Sequence, residues 1–395
     1  MYVLGFIKPE TPSNMYLFHA EYNNTNPSYV KLMEKVKSEK FIFPQNLNGI
    51  ERGTYEYFIY DGNLYSLESS SNQITLIDSG NWTHVAGSTG CDLGNGHRTV
   101  GFGIKSGRLF KIYENVIEEI GNTMSSNTFI NVTGTTTQDS ESTYGEHAYA
   151  LTDKNEIFAI GTALEASNIS IFTEENVINY FGGMHYYEAT PHIIVDNKLY
   201  LIDKTSIILR DDTKKWVKVY GAYAEYTGSV CYQYGITEDG NCYKLYTSGT
   251  PNANTIIKGN QEDNTKWEYI AGVRYRGAAY VPAIANKNLY LFIPGITPDD
   301  PYDEGDTDPQ KAYLLDDTRN YDWVSYNTSF NDPTYIALAE NKLYHIKITQ
   351  SLDDETTTIS YNPTITELPM PEGHTKCISC NQYGLNDNFI IPIFQ

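Results

Sequence analysis

The feature that most constrains this chain is a hairpin pattern that recurs along it. Its clearest copy covers residues 146–161, where two runs of alternating apolar and polar residues flank a polar turn at residues 153–156. Alternation with a period of two predicts β-strands with one buried face, and the polar turn predicts a tight connection between them. A chain that repeats this unit must bury many small sheets against one another.

The second strand of the hairpin is the most regular part of the repeat. A Gly or Asn before most copies supplies the positive φ of a tight turn. An opening strand, often led by Trp, precedes the hairpin, and a short last strand follows it. Four short strands in each period of about 40 to 55 residues predict the blades of a β-propeller, because one small sheet cannot bury both faces alone. The second strand recurs at residues 62–67, 107–112, 155–160, 197–202, 240–245, 287–292 and 341–346.

A β-sandwich is the competing architecture, but it predicts no fixed order of strand types within a period. Residues 388–394 supply strands at one end of the chain, and residues 2–18 supply them at the other. Joining the two would complete one composite blade and remove free sheet edges. We therefore expect one all-β propeller domain over residues 1–395, with eight blades of which one is closed by residues 1–38.

Two alternatives concern the first residues of the chain. With seven blades, residues 1–38 would form a separate docking arm. Residues 28–40 also allow a short capped helix, since Val30, Met33 and Val36 lie at helical spacing.

The charge of the chain bears on its partners. The formal net charge is −21 at pH 7, and nucleic-acid binding depends on Lys and Arg that replace counterions on phosphate. We therefore expect no nucleic-acid partner. No apolar run approaches the roughly 20 residues of a membrane span, and residues 1–9 lack a basic leader and a cleavage site, so they do not predict a secretion signal.

Several segments resemble the repeat of the RCC1 family of β-propellers. Residues 147–161 carry a His that opens the run His-x-x-Ala-Leu-Thr-Asp, followed by a turn and an aromatic strand that ends in Gly; residues 216–221 carry the Trp-led strand. The resemblance implies an RCC1-like architecture across most of the chain. It does not imply the nucleotide-exchange activity of the best-known member, because the acidic charge is unsuited to chromatin.

The composition has a second resemblance. A Tyr-, Asn- and Thr-rich acidic chain with divergent blades is similar to virion components of tailed bacteriophages. This similarity implies synthesis in the host cytoplasm and use in the virion, with a cytoplasmic location as the alternative. The partners it implies are other virion or tail proteins, or a glycan or protein of the host surface.

Tyrosines in the variable loops and first strands are the candidate binding residues. A Tyr ring offers a flat apolar face and a hydroxyl at low entropic cost, which suits contacts with proteins or sugars. Two arginines, Arg274 and Arg276, would share one face of a strand. The candidate binding residues are Tyr186, Tyr187, Tyr223, Tyr226, Arg274 and Arg276, and the wider set adds Tyr232, Tyr234, Tyr275 and Tyr280.

The densest cluster of charge lies in residues 298–309. Carboxylates spaced around a Gly suit the oxygen preference of Ca²⁺, although the segment lacks the closing Glu of an EF-hand loop, and a solvated loop is the competing interpretation. We otherwise expect no cofactor. The candidate calcium ligands are Asp299, Asp303, Asp306 and Asp308.

Other residues that could bind a metal or take part in catalysis have structural explanations. His97, His147 and His192 fall one to a period in three successive periods, which predicts equivalent, separated positions rather than a metal centre. Cys377 and Cys380 have metal-ligand spacing but lack a second pair, so we expect ordinary thiols. Residues 78–83 resemble the Asp-box of sialidase-like propellers with one residue missing before the Trp, and we find no second copy of that element.

The sequence thus predicts a non-enzymatic structural or interaction module, such as a phage virion or tail component that binds a receptor. The first alternative is an intracellular RCC1-like regulator that docks a protein partner. The second is a carbohydrate-active propeller enzyme.

Overall fold

The structure is a computed structural model that describes two compact units. The first consists of residues 1–19, 28–215 and 381–395, and the second of residues 20–27 and 216–380. The described residues are 13–19, 28–36, 41–42, 55–68, 71, 73–92, 97–120, 126–134, 148–160, 166–173, 175–181, 192–203, 206–224, 231–246, 255–259, 265–271, 281–293, 311–325, 334–353, 358–371, 376–377, 381–383 and 388–394.

Every helix or strand assigned within these ranges is a β-strand, which confirms the all-β class. Within the same ranges, no helix has the length and apolar character needed to cross a membrane. The strands are short and mostly antiparallel, in keeping with the alternating sequence pattern.

The first unit begins with strands β1 (Ser13–His19) and β2 (Ser28–Val36), which pair antiparallel. The second of these corrects the alternative of a helix at residues 28–40. Pairing with β1 fixes the backbone of residues 28–36 as a strand, so tertiary contacts override the helical spacing of the apolar residues.

Four antiparallel sheets of four strands follow in the first unit, each built from consecutive strands. They are β3 (Phe41–Ile42), β4 (Tyr55–Tyr60), β5 (Asn63–Glu68) and β6 (Gln73–Asp78); β7 (Trp82–Asp92), β8 (His97–Lys105), β9 (Arg108–Tyr113) and β10 (Val116–Glu119); β11 (Phe129–Gly134), β12 (Ala148–Thr152), β13 (Glu156–Ile160) and β14 (Ala166–Ile171); and β15 (Ile178–Phe181), β16 (His192–Val195), β17 (Lys198–Asp203) and β18 (Ser206–Asp211).

The second unit repeats the same arrangement. Its strands are β19 (Trp216–Ala224), β20 (Cys231–Thr237), β21 (Cys242–Tyr246) and β22 (Thr255–Gly259); β23 (Trp267–Ile270), β24 (Val281–Ala285), β25 (Asn288–Ile293) and β26 (Lys311–Asp316); β27 (Tyr321–Val324), β28 (Thr334–Ala339), β29 (Lys342–Asp353) and β30 (Thr358–Glu367); and β31 (Lys376–Cys377). Strands β22 and β26 also pair in parallel, which joins two of these sheets at their outer edges.

The last strands return to the first unit. Strand β32 (Asn381–Tyr383) pairs with β33 (Asn388–Phe394), and β33 pairs antiparallel with β1. The register sets Asn14 opposite Ile393 and His19 opposite Asn388. Strands from the two ends of the described chain therefore lie side by side in one sheet.

Neighbouring sheets share their apolar cores. In the first unit, one buried cluster combines Phe102 and Ile104 of β8 with Phe129 of β11 and Phe158 of β13. In the second unit, another combines Tyr234 of β20 with residues of β23 to β26. Within each unit, neighbouring four-stranded sheets thus bury apolar side chains against one another, as their small size requires.

Candidate interaction surface

Two β-bulges recur where one sheet connects to the next, and they define a structure that we call the corner. One bulge falls on the second residue of a first strand, such as Thr83 in β7 or Asp322 in β27. The other falls on a fourth strand, such as Ile77 in β6 or Leu315 in β26. Bulges bend a strand and redirect its side chains, so the corner holds the connector and the first residue of the next sheet in a fixed geometry.

A hairpin turn of the preceding sheet is hydrogen-bonded to each of four corners. In each case the first residue of the new sheet donates its N–H to the carbonyl of a turn residue with positive φ. The positive φ that the sequence predicts for these turns is present at Gly62, Gly107 and Gly240. The bonds are Trp82 N to Gly62 O (3.0 Å), Phe129 N to Gly107 O (2.9 Å), Trp267 N to Gly240 O (3.0 Å) and Tyr321 N to Lys287 O (2.8 Å).

An Asp at the end of the fourth strand holds the aromatic side chain of the next sheet. Trp82 donates its indole N–H to Asp78 over 2.9 Å, and Lys105 forms an ion pair with the same carboxylate. Burial raises the pKa of Asp78, but the hydrogen bonds from Lys105 and Trp82 outweigh burial and leave that pKa below its ordinary value. The Asp78 carboxylate is therefore committed to the corner.

The second unit contains an equivalent corner. The Tyr321 hydroxyl donates to Asp316 over 2.7 Å, and Arg319 donates to the same oxygen over 2.8 Å. Burial opposes ionisation of Asp316, but bonds from Thr318, Tyr321 and Arg319 lower its pKa. Burial, followed by the bond to Asp316, raises the pKa of Tyr321.

The Asp of the Asp-box-like segment thus has counterparts at other corners, although the segment as a whole does not recur. Asp78, Asp211 and Asp316 each end a fourth strand, although the connectors after them differ in length. Their partners are side chains of the chain itself, so this element is structural. An Asp four or five residues before an aromatic residue was the signal available in the sequence.

The corner between β14 and β15 departs from this design, and we call it the variant corner. Ser170 pairs with Ile157, the second residue of β13, and Asp78 pairs with Leu64, the second residue of β5. Ser170 therefore occupies the position that is equivalent to Asp78. Likewise Ile178 occupies the position of Trp82. The Asp and the aromatic residue are both absent here.

Asparagines replace the Asp–aromatic pair at the variant corner. The Asn155 side chain donates to the carbonyls of Thr173 (3.1 Å) and Asn176 (2.9 Å). The Asn176 side chain accepts from the Thr173 N–H and hydroxyl and donates to Asp196. Asp196 also accepts the Val177 N–H over 2.6 Å. The connector at residues 171–177 is therefore bonded to the hairpin turns of the sheets on both sides.

Apolar side chains are exposed at the variant corner and along the outer strands of the first unit. Ile171 is 67% exposed and Val177 is 59% exposed. Aliphatic side chains that are exposed on a bonded framework are available for contact with a partner. Other exposed large apolar residues of the described chain are Leu76 on β6, Val116 on β10, Ile130 on β11, and Ile208 and Leu209 on β18.

The described residues exclude nearly all of the side chains predicted to bind. Tyr223 lies on β19, opposite Tyr232 of β20 by backbone register. Tyr234, expected in an exposed position, is buried and packs against Phe292 with ring centroids 5.7 Å apart. The side chains of Tyr186, Tyr187, Tyr226, Arg274 and Arg276 fall outside the described residues.

The predicted calcium ligands Asp299, Asp303, Asp306 and Asp308 also lie outside the described residues. Within the ranges that are described, no group of three or more His, Cys, Asp and Glu residues is arranged to hold a metal ion. His192 is buried on β16.

Comparison with solved structures supports the fold. The dihydro-heme d1 dehydrogenase NirN matches with a TM-score of 0.50 at 7% identity, covering 89% of this chain and 74% of that chain. Hsv2p from Kluyveromyces lactis matches with a TM-score of 0.43 at 9% identity, over 84% of this chain and 98% of its own. YCF48 from Cyanidioschyzon merolae gives a TM-score of 0.40 at 9% identity, over 77% and 94%. The likeness to the β-propeller NirN supports the fold alone.

Neither a family model nor a curated protein matches the sequence.

Proposed function

We propose that this chain is a non-enzymatic interaction module built as an RCC1-like propeller of eight blades. Seven consecutive four-stranded sheets support seven of the blades. The pairing of β1 with β33 supports a composite eighth blade made from residues near the two ends.

The observation that carries the interaction function is the exposure of Ile171 and Val177 on a hydrogen-bonded connector. Apolar side chains held in one conformation can contact a partner with little ordering cost. By contrast, the lowered pKa values of Asp78 and Asp316 arise at corners where those carboxylates bond to the chain's own side chains. Their chemistry serves the framework rather than a substrate.

The partner class that we propose is a virion or tail protein, or a glycan or protein of the host surface. The acidic, Tyr- and Asn-rich composition supports this assignment. Loop tyrosines such as Tyr186, Tyr187 and Tyr226 would supply further contacts, as would Arg274 and Arg276. The protein would be made in the host cytoplasm and used in the particle.

The virion role is tested by immunogold labelling with an antibody against the full chain. Particles purified from the source culture should carry label at the tail, whereas label confined to the host cytoplasm would overturn the virion role and favour an intracellular regulator.

The non-enzymatic role is tested by mixing the purified protein with host surface polysaccharide and with purified virion proteins. Saturable binding without release of sugar fragments is expected with one of them. Cleavage of the polysaccharide would contradict the proposal and favour a carbohydrate-active enzyme.

A further inference from the structure

We propose that the variant corner docks an extended segment of a partner protein in which aliphatic residues alternate with Lys or Arg. The inference rests on the proposed interaction function and names its site and the chemistry of its partner. Ile171 and Val177 would be the apolar anchors, and the exposed Glu175 would supply charge beside them.

The two anchors are the most exposed large apolar side chains among the described residues. Water contact with such surface is unfavourable, so covering it favours association. The equivalent corners do not present this surface, because the residues that follow the Asp and precede the aromatic residue there are polar: Ser79 and Asn81, and Asp317 and Asn320. The departure from the repeat is thus also the point at which apolar side chains reach solvent.

The anchors are held in place before any partner binds. Phe172 donates its N–H to the Asn155 carbonyl over 3.1 Å and packs edge-on against Tyr200 with ring centroids 5.5 Å apart. Val177 donates to Asp196 and accepts from the Asp196 N–H over 2.8 Å. A connector fixed at both anchors loses little conformational freedom on docking.

The adjoining strands favour an extended partner. Among the described strands, β14 pairs only with β13 and β18 pairs only with β17, so each has one edge without a strand partner. Strand β18 contacts β14 and exposes Ile208 and Leu209. An extended segment can bond to such an edge while its alternate side chains contact the exposed aliphatic residues.

The charge around the variant corner favours a basic partner. Carboxylates outnumber ammonium groups there, and the whole chain carries a formal net charge of −21. A second copy of this chain would bring the same carboxylates to the contact, which disfavours self-association through this corner. The exposed charged residues at or next to its turns and connector are Asp153, Glu175 and Asp196 against Lys154 and Lys198.

The probe for this site is a displayed library of random 12-residue peptides, selected on the full chain. The selected peptides should alternate aliphatic residues with Lys or Arg. One such peptide is then synthesised with its basic residues and, separately, with Glu in their place, and the binding of both is measured by fluorescence anisotropy. The basic peptide should bind at least about tenfold more tightly, since like charges at a contact are repulsive.

Substitutions on the protein locate the contact. Ile171→Asp and Val177→Asp should each weaken the basic peptide about tenfold or more, because each removes an apolar anchor. Val116→Asp is the matched control, since it makes the same change at an exposed residue of another outer strand, β10, and it should leave binding unchanged. Far-UV circular dichroism of each variant verifies that the fold is retained.

Three results would overturn the proposal. Equal affinity for the basic and the acidic peptide would contradict the charge argument. An equal loss of peptide affinity in Val116→Asp would show that the peptide does not bind specifically at the variant corner. A wild-type dimer in light scattering that Val177→Asp converts to a monomer would identify a second copy as the occupant.

The peptide-binding result can be distinguished from the result of the immunogold test of the virion role. Peptide binding that depends on Val177, without tail labelling, would retain the docking site and reject the virion role. If the tail is labelled but the peptides bind Val177→Asp as tightly as wild type, the virion role would be retained and the docking site rejected.

Discussion

The corner at residues 78–82 and the variant corner at residues 170–178 connect neighbouring sheets in the same unit by different chemistry. The first uses one ionised Asp to hold a buried Trp, and the second uses two asparagines to hold a longer connector. Both retain the bulge in the first strand. The comparison teaches that the backbone geometry of the repeat survives when the side chains that stabilise it are replaced.

The second strand of the sheet carries a residue of different size at the two corners, in step with the loss of the aromatic residue from the first strand. Gly103 lies under Trp82, where an added Cβ would come within 2.7 Å of the indole ring. The equivalent position at the variant corner, opposite Phe181, is the buried Ile193. Where Ile178 replaces the Trp, the larger Ile193 occupies the second strand. The volume lost from one strand is thus supplied by the other.

The two corners should differ most in the free energy of unfolding that is lost when Trp82 or Ile178, the first residue of its strand, is replaced by Ala. Trp82→Ala removes a buried side chain that packs against Phe110 and should lower the free energy of unfolding by about 3–5 kcal/mol. Ile178→Ala removes a smaller, half-buried side chain and should cost less than about 2 kcal/mol. Urea denaturation measures both, and equal losses would contradict the distinction.

Loss of the buried carboxylate should have the next largest effect. Asp316→Ala leaves the buried Tyr321 hydroxyl without its acceptor and should cost about 2–3 kcal/mol of unfolding free energy. Asp317→Ala changes the adjacent, exposed Asp and is the control, with an expected effect below about 0.5 kcal/mol. A similar melting temperature for the two variants would show that the buried bond contributes little.

A methyl group under the indole should be destabilising. Gly103→Ala forces the Trp82 ring or the strand to shift and should cost about 1–3 kcal/mol in urea denaturation. The smaller change Ile193→Val at the variant corner should cost about 1 kcal/mol as a cavity rather than as a clash. A more stable Gly103→Ala protein would show that the Trp82 ring can move.

Acid should weaken the corners that Asp78 and Asp316 stabilise. The pKa of Asp78 and of Asp316 is lower in the folded protein than its ordinary value of 3.8. Their stabilisation is therefore complete above pH 3.8 and is lost as the pH falls through the lowered pKa. The melting temperature of Asp316→Asn should fall less steeply than that of wild type between about pH 4 and pH 2. Parallel curves would show that Asp316 has no part in acid sensitivity.

The smallest expected effect is at the exposed anchor. Ile171→Ser should change the free energy of unfolding by less than about 0.5 kcal/mol, because the side chain is 67% exposed. A loss of 2 kcal/mol or more in urea denaturation would show that Ile171 supports the fold rather than a contact.

Local features of the fold were readable from the sequence. The hairpin at residues 148–160 and the positive φ of Gly62 and Gly107 follow from alternation and turn chemistry, which act over a few residues. The strand at residues 28–36 was not decided by the sequence, because its state depends on pairing with β1. Pairing between distant strands leaves no short-range pattern.

The corners were harder to predict for a related reason. Asp316 and Tyr321 are separated by one residue more than Asp78 and Trp82, so no fixed spacing marks the pair. The equivalence of Ser170 with Asp78 appears only from strand register. The apolar anchors have no motif, since exposure of Ile171 and Val177 depends on which side of the connector packs against Tyr200.

The pairing of β1 with β33 has a consequence for biosynthesis. A ribosome releases residues 14–19 long before residues 388–393 emerge, so that edge of β1 waits through the synthesis of all the intervening strands. Contacts of such sequence separation form slowly, and an unpaired edge is open to other nascent chains meanwhile. Completion of this sheet is therefore a late step in folding, and chaperones that cover strand edges should raise the yield of native protein.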